Sequence, residues 1–552
     1  MSSDAQRPAT RREARLAAAA RAATDAAPAA AASPVVEPDG EPYVPAAPAV
    51  GPGPQPAQEP TRGPAHDPAH DPAEELAREP APEPASAARD AAPPAAGARP
   101  RRARRAFAGA FAVVVAVLAV VGATGAALGT AQGPHVTGVE VDPAAAAAAS
   151  GSRLVVTTSQ SLQDVDPSQV TVEPAVPFAV DTSGRAVGVR FALPLFDDTE
   201  YTVTFRDVQG LGGGPTATFA ESFRTPRAEV FLLQRGDDGD AIFRTDLTGA
   251  NAVKVFEHEH IEDFRATSSR LVVSVRDDDG AQLITTDLDG GDARTLPLPG
   301  EGYVSNLQSA DRGDRIGYTF SDADLGGDGG LESALFTTSL RDPAGQPTRV
   351  EIAGADPRVA QWRFVPDTDS ILLLSFDGSV LLTDAAATSA TALGSAVSLD
   401  GIAGTHAIVE RIDGVEVVDL SDGSTRPLIG TEEEGIVGAI LPVAGGGTLR
   451  TVTPLDEQGL PTASRIVFVT DDGTESTLYD VDPADAVVQT CVAPSGRYAA
   501  VTIAPDVVRN PYDMYQLPLP GTLETHVVEI SSATEVVALA GSAPSWCRVP
   551  PQ

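Results

Sequence analysis

The sequence predicts an all-β ectodomain, a small β-sandwich followed by a β-propeller of about seven blades, preceded by a disordered tail and one transmembrane helix. Three observations predict it. The chain opens on an Ala/Pro-rich stretch with almost no large apolar residues. One long uncharged run then follows an arginine cluster. From there to the end, short alternating apolar segments are separated by Gly/Asp turns. At about 150 residues per domain, 552 residues allow three to four domains.

Residues 1–105 hold 13 arginines and 14 acidic residues, so this part is near neutral. Segments such as Glu37-Pro38-Asp39-Gly40-Glu41-Pro42 cannot bury enough apolar surface to offset chain entropy. The reading is a disordered tail, with a transient solvated helix at Thr10–Ala23, where Ala, Leu and Arg favour helix.

Arg101, Arg102, Arg104 and Arg105 precede Ala106–Gly129, a run of 24 residues without a charge. As a helix it would be about 36 Å long, enough to span a bilayer with some tilt. The arginines orient it by the positive-inside rule, placing 1–105 in the cytoplasm and the rest outside the cell membrane. A buried core helix would not carry this arginine cluster, and a cleaved signal normally begins close to the N-terminus. An uncleaved signal anchor at 106–129 is therefore expected. Gly125 and Gly129 form a GxxxG pair, a spacing that an Ala/Gly-rich span also reaches by chance.

The charge belongs to the part beyond the tail. Residues 106–552 hold 26 basic and 62 acidic residues, a net of −36 within a total of −37. That excludes sequence-independent nucleic-acid binding, which rests on basic patches. It favours basic partners or cations. Lys254 is the single lysine, and this arginine- and alanine-rich usage resembles a high-GC bacterial coding sequence. Two cysteines exclude a disulfide-dense scaffold and a four-cysteine zinc site.

Residues 135–226 read as the sandwich. The expected strands are Val136–Val141, Arg153–Ser159, Val170–Val172, Ala186–Ala192, Glu200–Val208 and Thr216–Phe223, a number that suits an Ig-like module. Three stretches carry a resemblance: Val139-Glu140-Val141-Asp142-Pro143, Leu195-Phe196-Asp197-Asp198-Thr199-Glu200-Tyr201-Thr202-Val203, and Phe219-Ala220-Glu221-Ser222-Phe223-Arg224-Thr225. The module resembles the bacterial Ig-like domains of surface-layer and envelope proteins. The resemblance implies a spacer or adhesion role.

Residues 228–550 repeat one unit. Ala241–Gly249 and Gln282–Gly290 are the clearest copies, and Asp246 and Asp287 set a period of 41. Weaker copies begin near Ala334, Ser379, Val415, Arg465 and His526, with a second unit at Arg270–Val275, Asp314–Phe320, Asp369–Ser375 and Ser495–Thr502. Four strands per 40 to 45 residues mark a propeller blade. Ala493-Pro494-Ser495-Gly496-Arg497-Tyr498-Ala499-Ala500-Val501 resembles the signature of TolB-like, WD40-like propellers, with Ser495 in place of the usual Asp. A propeller must close its ring, and Glu229–Gln234 is expected to complete the last blade beside a C-terminal strand. Cys491 and Cys547 both fall in that last blade and are expected to pair outside the reducing cytoplasm.

Chemistry is less legible. The chain has no GxSxG, GxxxxGK[ST] or HExxH motif. His258 and His260 would share a strand face as a metal pair, with Glu262 or Asp263 nearby. The plainer reading is a solvated strand end. Asp322, Asp324 and Asp328 on a Gly-rich loop offer oxygen ligands for Ca²⁺, although the EF-hand spacing and closing Glu are absent. Acidic turns recur through the chain, so no cofactor is assigned. The favoured function is a non-catalytic, single-pass envelope protein whose propeller binds a protein or a small ligand. The alternative is a propeller hydrolase or lyase using channel carboxylates.

Overall fold

The computed structural model describes residues 111–120 and 133–547, apart from 278–279, 311–313, 326–329, 386, 388 and 432–434. The tail, its four arginines at 101, 102, 104 and 105, and most of the expected span lie outside those residues. Residues 111–120 are helical, and no helix among the described residues is long and apolar enough to cross a membrane.

Residues 136–224 form two sheets. One orders Val136–Val141 (β1), Arg153–Thr158 (β2), Ala186–Phe191 (β5) and Phe178–Ser183 (β4) as β1-β2-β5-β4. The other orders Val170–Glu173 (β3), Glu200–Val208 (β6) and Ala217–Arg224 (β7) as β3-β6-β7. Leu154, Val156, Val187, Val189 and Phe191 from the first sheet meet Val170, Val172, Tyr201, Val203, Phe205 and Phe223 from the second in one core. Alternation in these strands follows from the period of two, which sends every second side chain inward. The sequence reading missed β4, whose residues alternate between half-buried and exposed and carry Asp181, Thr182 and Ser183. It also passed over a short helix at Pro143–Ala148. There Asp142 caps two backbone N–H groups, Pro143 supplies a preset φ, and the alanines propagate the turn.

From Glu229 onward seven antiparallel sheets follow in sequence. We number them as blades. Blade 1 comprises Glu229–Gln234, Asp240–Asp246 and Val253–His258. Blades 2 to 7 each have four strands, in consecutive order. The first strands of blades 2 to 7 are Ile261–Ala266, Gly302–Ser309, Val359–Phe364, Ser398–Ala403, Gly435–Pro442 and Ala486–Val492, and successive ones pack against each other around a ring. This is a β-propeller. Each of these six strands breaks register with its neighbour at a β-bulge. A bulge adds one unpaired residue and sharpens the local twist, so it re-aims side chains at the ring's centre.

The ring closes differently from the expectation. Glu229–Gln234 does not extend the last blade. It belongs to blade 1, and the C-terminal residues come to it. Leu233 and Ser542 exchange both backbone hydrogen bonds at 2.9 Å, and Ser545 N–H donates to Phe231 O at 3.0 Å. Blade 1 is thus completed by chain from the far end of the sequence. Cys547, just beyond, is bonded to Cys491 on the first strand of blade 7, with Cα atoms 5.2 Å apart. The disulfide joins the closing segment to the last blade.

Apolar clusters fill the seams between blades. Ile242 and Val255 meet Phe264 and Val273 between blades 1 and 2, and Val272 and Leu283 meet Ile316 and Phe336 between blades 2 and 3. Leu335 meets Trp362 and Leu373 in the next seam, and Leu372 and Leu374 meet Ala407 and Val409 in the one after. Leu449 and Ile466 meet Val501 and Val528 between blades 6 and 7, and Leu539 meets Val230 and Leu232 where blade 7 meets blade 1. The seam between blades 5 and 6 is different. Among the described residues its cluster, Val452, Val467 and Val469, comes from blade 6 alone.

Candidate functional site: a cavity where sandwich and propeller meet

The sandwich stands on the turns that join the first and second strands of the blades. Arg497, from the signature turn of blade 7, donates from Nη1 to Asp197 O at 2.9 Å and Asp197 Oδ1 at 3.2 Å, and from Nε to Glu529 at 3.1 Å. Its guanidinium also lies 5.7 Å from the Phe196 ring and 5.0 Å from that of Tyr498. Gly496 has φ +74°, and a Cβ there would run into the Ala444 carbonyl. That turn therefore needs glycine for both its conformation and its neighbour. A second tie runs from Ser150 to Asp367.

Beneath this junction lies a cavity of about 920 Å³. Ser150, Leu193 and Pro194 of the sandwich help to roof it. It reaches the first strands of blades 3 to 7 and runs outward along the seam between blades 5 and 6. Ile408 and Val417 wall it from blade 5, and Val437 and Val469 from blade 6.

Three arginines line it: the exposed Arg426, and two less exposed ones, Arg363 and Arg450. Arg363 donates from Nη1 to Trp362 O at 2.8 Å and from Nη2 to Leu399 O at 3.0 Å. Burial lowers it to about 10, and Asp400 opposes that shift. Arg450, from the second strand of blade 6, Thr448–Pro454, is 4 % exposed and donates from Nε to Thr448 Oγ1 at 2.8 Å. Burial lowers its pKa, and Glu475 opposes that. Neither Arg363 nor Arg450 forms an ion pair with a carboxylate of the described residues. Asp400 occupies the bulge of Ser398–Ala403 and also lines the cavity. Burial, reinforced by the charge of Glu410, pushes it up to about 6, and Arg363 pulls the other way. A carboxyl that titrates near neutrality beside a cation can exchange protons with a bound molecule. Two further acids are held by the fold: Asp367 by Ser150, and Asp471 by the Gly447 N–H at 3.0 Å.

The disulfide Cys491–Cys547 borders the cavity, whereas the metal candidates singled out in the sequence lie elsewhere. Strand Val253–His258 stops at His258 and Ile261 starts the next blade, so His258 and His260 flank a connection and do not share a strand face. His260 N–H donates to His258 Nδ1 at 3.1 Å, and His260 Nε2 lies 2.7 Å from Glu262 Oε1. The His260 ring packs on Tyr515 with centroids 3.7 Å apart. Tyr515 belongs to the connection 505–523, which crosses from blade 7 over blades 1 to 3. Arg235 pairs with its Asp513 at 2.7 Å, Tyr515 Oη donates to the buried Asp240 at 2.9 Å, and the N–H groups of Gln516 and Leu517 donate to Glu262. Gln516 Nε2 reaches Ser305 at 2.7 Å. This is a strap across the ring's closure.

In the acidic loop, Asp322 Oδ2 accepts from Leu331 N–H at 2.6 Å, while Asp328 lies outside the described residues. No group of three His, Cys, Asp or Glu among the described residues is arranged to hold a metal ion.

Sequence reasoning missed Arg363, Asp400 and Arg450. For Arg450 the strand pairing supplies a comparison that the sequence alone does not. Arg450 stands two residues after the partner of the first strand's last residue, where blades 2, 4 and 7 place Val273, Leu373 and Val501.

No protein-family model matches the chain, and no curated protein matches it. Solved structures similar to it include an oligogalacturonate lyase in complex with manganese, with 11 % identity and a TM-score of 0.40, covering 66 % of this chain and 99 % of that one. A prolyl endopeptidase has 10 % identity and a TM-score of 0.42, covering 66 % of this chain and 50 % of that one. TolB from Acinetobacter baumannii has 10 % identity and a TM-score of 0.33, covering 70 % and 82 %. These likenesses assign no activity to this chain.

Proposed function

We propose that the chain is a single-pass, extracytoplasmic binding protein whose propeller takes a small ligand into the junction cavity, without catalysis. The observation that carries this is the cavity itself. It has two walls of different chemistry, one apolar and one bearing unpaired guanidinium groups, and a size within the range of small-molecule sites. The arginine cluster at 101–105 and the uncharged run 106–129 support an anchor with the tail in the cytoplasm. In this reading the sandwich is an Ig-like spacer that also roofs the site, and the propeller is TolB-like in architecture.

A catalytic reading draws on one feature, Asp400 with its raised pKa near Arg363. Among the described residues it lacks a second cavity carboxylate free of a structural tie: Glu410 accepts from Ser398 Oγ at 3.0 Å, and Asp367 and Asp471 are held as above.

The test is capture from solubilised envelope with the full chain as bait, comparing wild type with Gly438→Trp. Gly438 lines the cavity, and its nearest neighbour to an added Cβ is 3.5 Å away, so the indole would fill space without breaking the strand. The expected result is a small molecule eluted from the wild type and absent from the variant. A protein partner captured equally by both, with no small molecule, would replace this reading with protein binding.

A further inference from the structure

We infer that the cavity's ligand is an organic anion with an apolar body, its carboxylate or phosphate seated on Arg450 in the seam between blades 5 and 6. The inference rests on the cavity being a ligand site and names the class of ligand.

The argument begins with cost. A guanidinium withdrawn from water without a counter-charge is unfavourable, and buried charges are normally paired. Arg450 is 4 % exposed, has one side-chain hydrogen bond, and has no ion pair with a described carboxylate. Its two Nη groups, four N–H donors, have no protein acceptor among the described residues. Packing does not demand an arginine here, because Val273, Leu373 and Val501 fill the matching positions of other blades and join the apolar seams. Only one seam lacks a two-sided apolar cluster among the described residues, and it is the one Arg450 faces.

The rest of the seam specifies the other half of the ligand. Ile408 and Val417 border the cavity from blade 5 but are themselves buried, at 3 % and 5 % exposed. Ile429 and Val437, also in the cavity wall, are 44 % and 40 % exposed, although comparable side chains in the other seams are buried. Uncovered apolar surface next to an unpaired guanidinium matches a molecule with one charged end and one apolar end. The fork of Arg450 suits a two-oxygen acceptor such as carboxylate or phosphate. Arg363, on the same cavity, adds positive potential, which matters in a chain of net charge −37 that otherwise repels anions.

The experiment uses the full chain in lipid nanodiscs and three probes: 3-phenylpropionate, its uncharged amide, and inorganic phosphate. Binding is measured by titration calorimetry for wild type, Arg450→Gln and Arg450→Lys. The expected result is saturable 3-phenylpropionate binding, weakened about tenfold or more both by Arg450→Gln and by the amide, partly restored in Arg450→Lys, with inorganic phosphate weaker than the organic acid. Ligand-free Arg450→Gln is expected to melt no lower than wild type, because it loses a buried charge that has no ion pair among the described residues. Equal affinity for acid and amide, an unchanged affinity in Arg450→Gln, or a melting temperature several degrees lower in that variant would each overturn the assignment. If 3-phenylpropionate does not bind while Gly438→Trp still loses a captured small molecule, the anion inference fails and the cavity reading stands. If Gly438→Trp loses nothing, the cavity reading itself fails.

Discussion

Asp400 illustrates how a single residue couples the fold to the site. It sits at a bulge and lines the cavity, where partial burial and the charge of Glu410 raise its pKa to about 6. Between its unfolded value near 4 and its folded value, the native state holds more proton than the unfolded one. Stability therefore falls as pH rises from about 4 to about 6. Asp400→Asn removes that loss. The expected outcome is a variant more stable than wild type at pH 7, on the order of 2 kcal/mol in denaturant unfolding, with the difference vanishing near pH 4. Arg450 shows what the sequence hides at this scale. Leu449-Arg450-Thr451-Val452 puts its two polar residues on opposite faces, so the pattern alone does not say which face meets a neighbouring blade. Register places Arg450 on the side facing blade 5. A slip of one residue would reverse that, and periodicity alone does not fix the register.

At the scale of elements, most strands were legible because apolar residues recur at every second position between Gly and Asp turns. The exceptions have physical causes. Phe178–Ser183 alternates only between half-buried and exposed and carries polar residues, so it gives a weak signal. The closing partner on the other edge of Glu229–Gln234 lies more than 300 residues away, at Ser542, and only the folded ring shows that blade 1 receives it. The bulges of the first strands are likewise a property of pairing. The disulfide follows from closure: it ties the segment that completes blade 1 to the first strand of blade 7, 56 residues apart. By the chain-entropy estimate such a loop contributes about 4 kcal/mol. Cys547→Ser is expected to lose stability of that order. Amide exchange should rise first at Glu229–Gln234 and at the strap around Tyr515, because both bridge the same closure. Uniform exchange across all blades would mean that the disulfide does not guard the ring's seam.

The whole molecule turns on one unfilled seam. Composition and repeats expose a propeller because each blade obeys the same rule of apolar faces meeting apolar faces. They do not expose the place where the rule lapses, since Ile408, Val417, Val437 and Val469 look like any other blade residues. What separates them is the arginine opposite and the sandwich above, two features that come together only after folding. The acidic turns and the His258/His260 pair, more conspicuous in the sequence, lie outside this cavity. The central claim is that ligand enters the space between blades 5 and 6 under the sandwich. Hydrogen exchange of the full chain with and without saturating 3-phenylpropionate tests it most directly. The account predicts slower exchange in His406–Arg411, Gly435–Pro442 and Thr448–Pro454, and in the sandwich residues near Ser150 and Leu193, with blades 1 to 3 unchanged. Protection centred on blades 1 to 3 or on the strap, or binding with no protection in the seam, would contradict it.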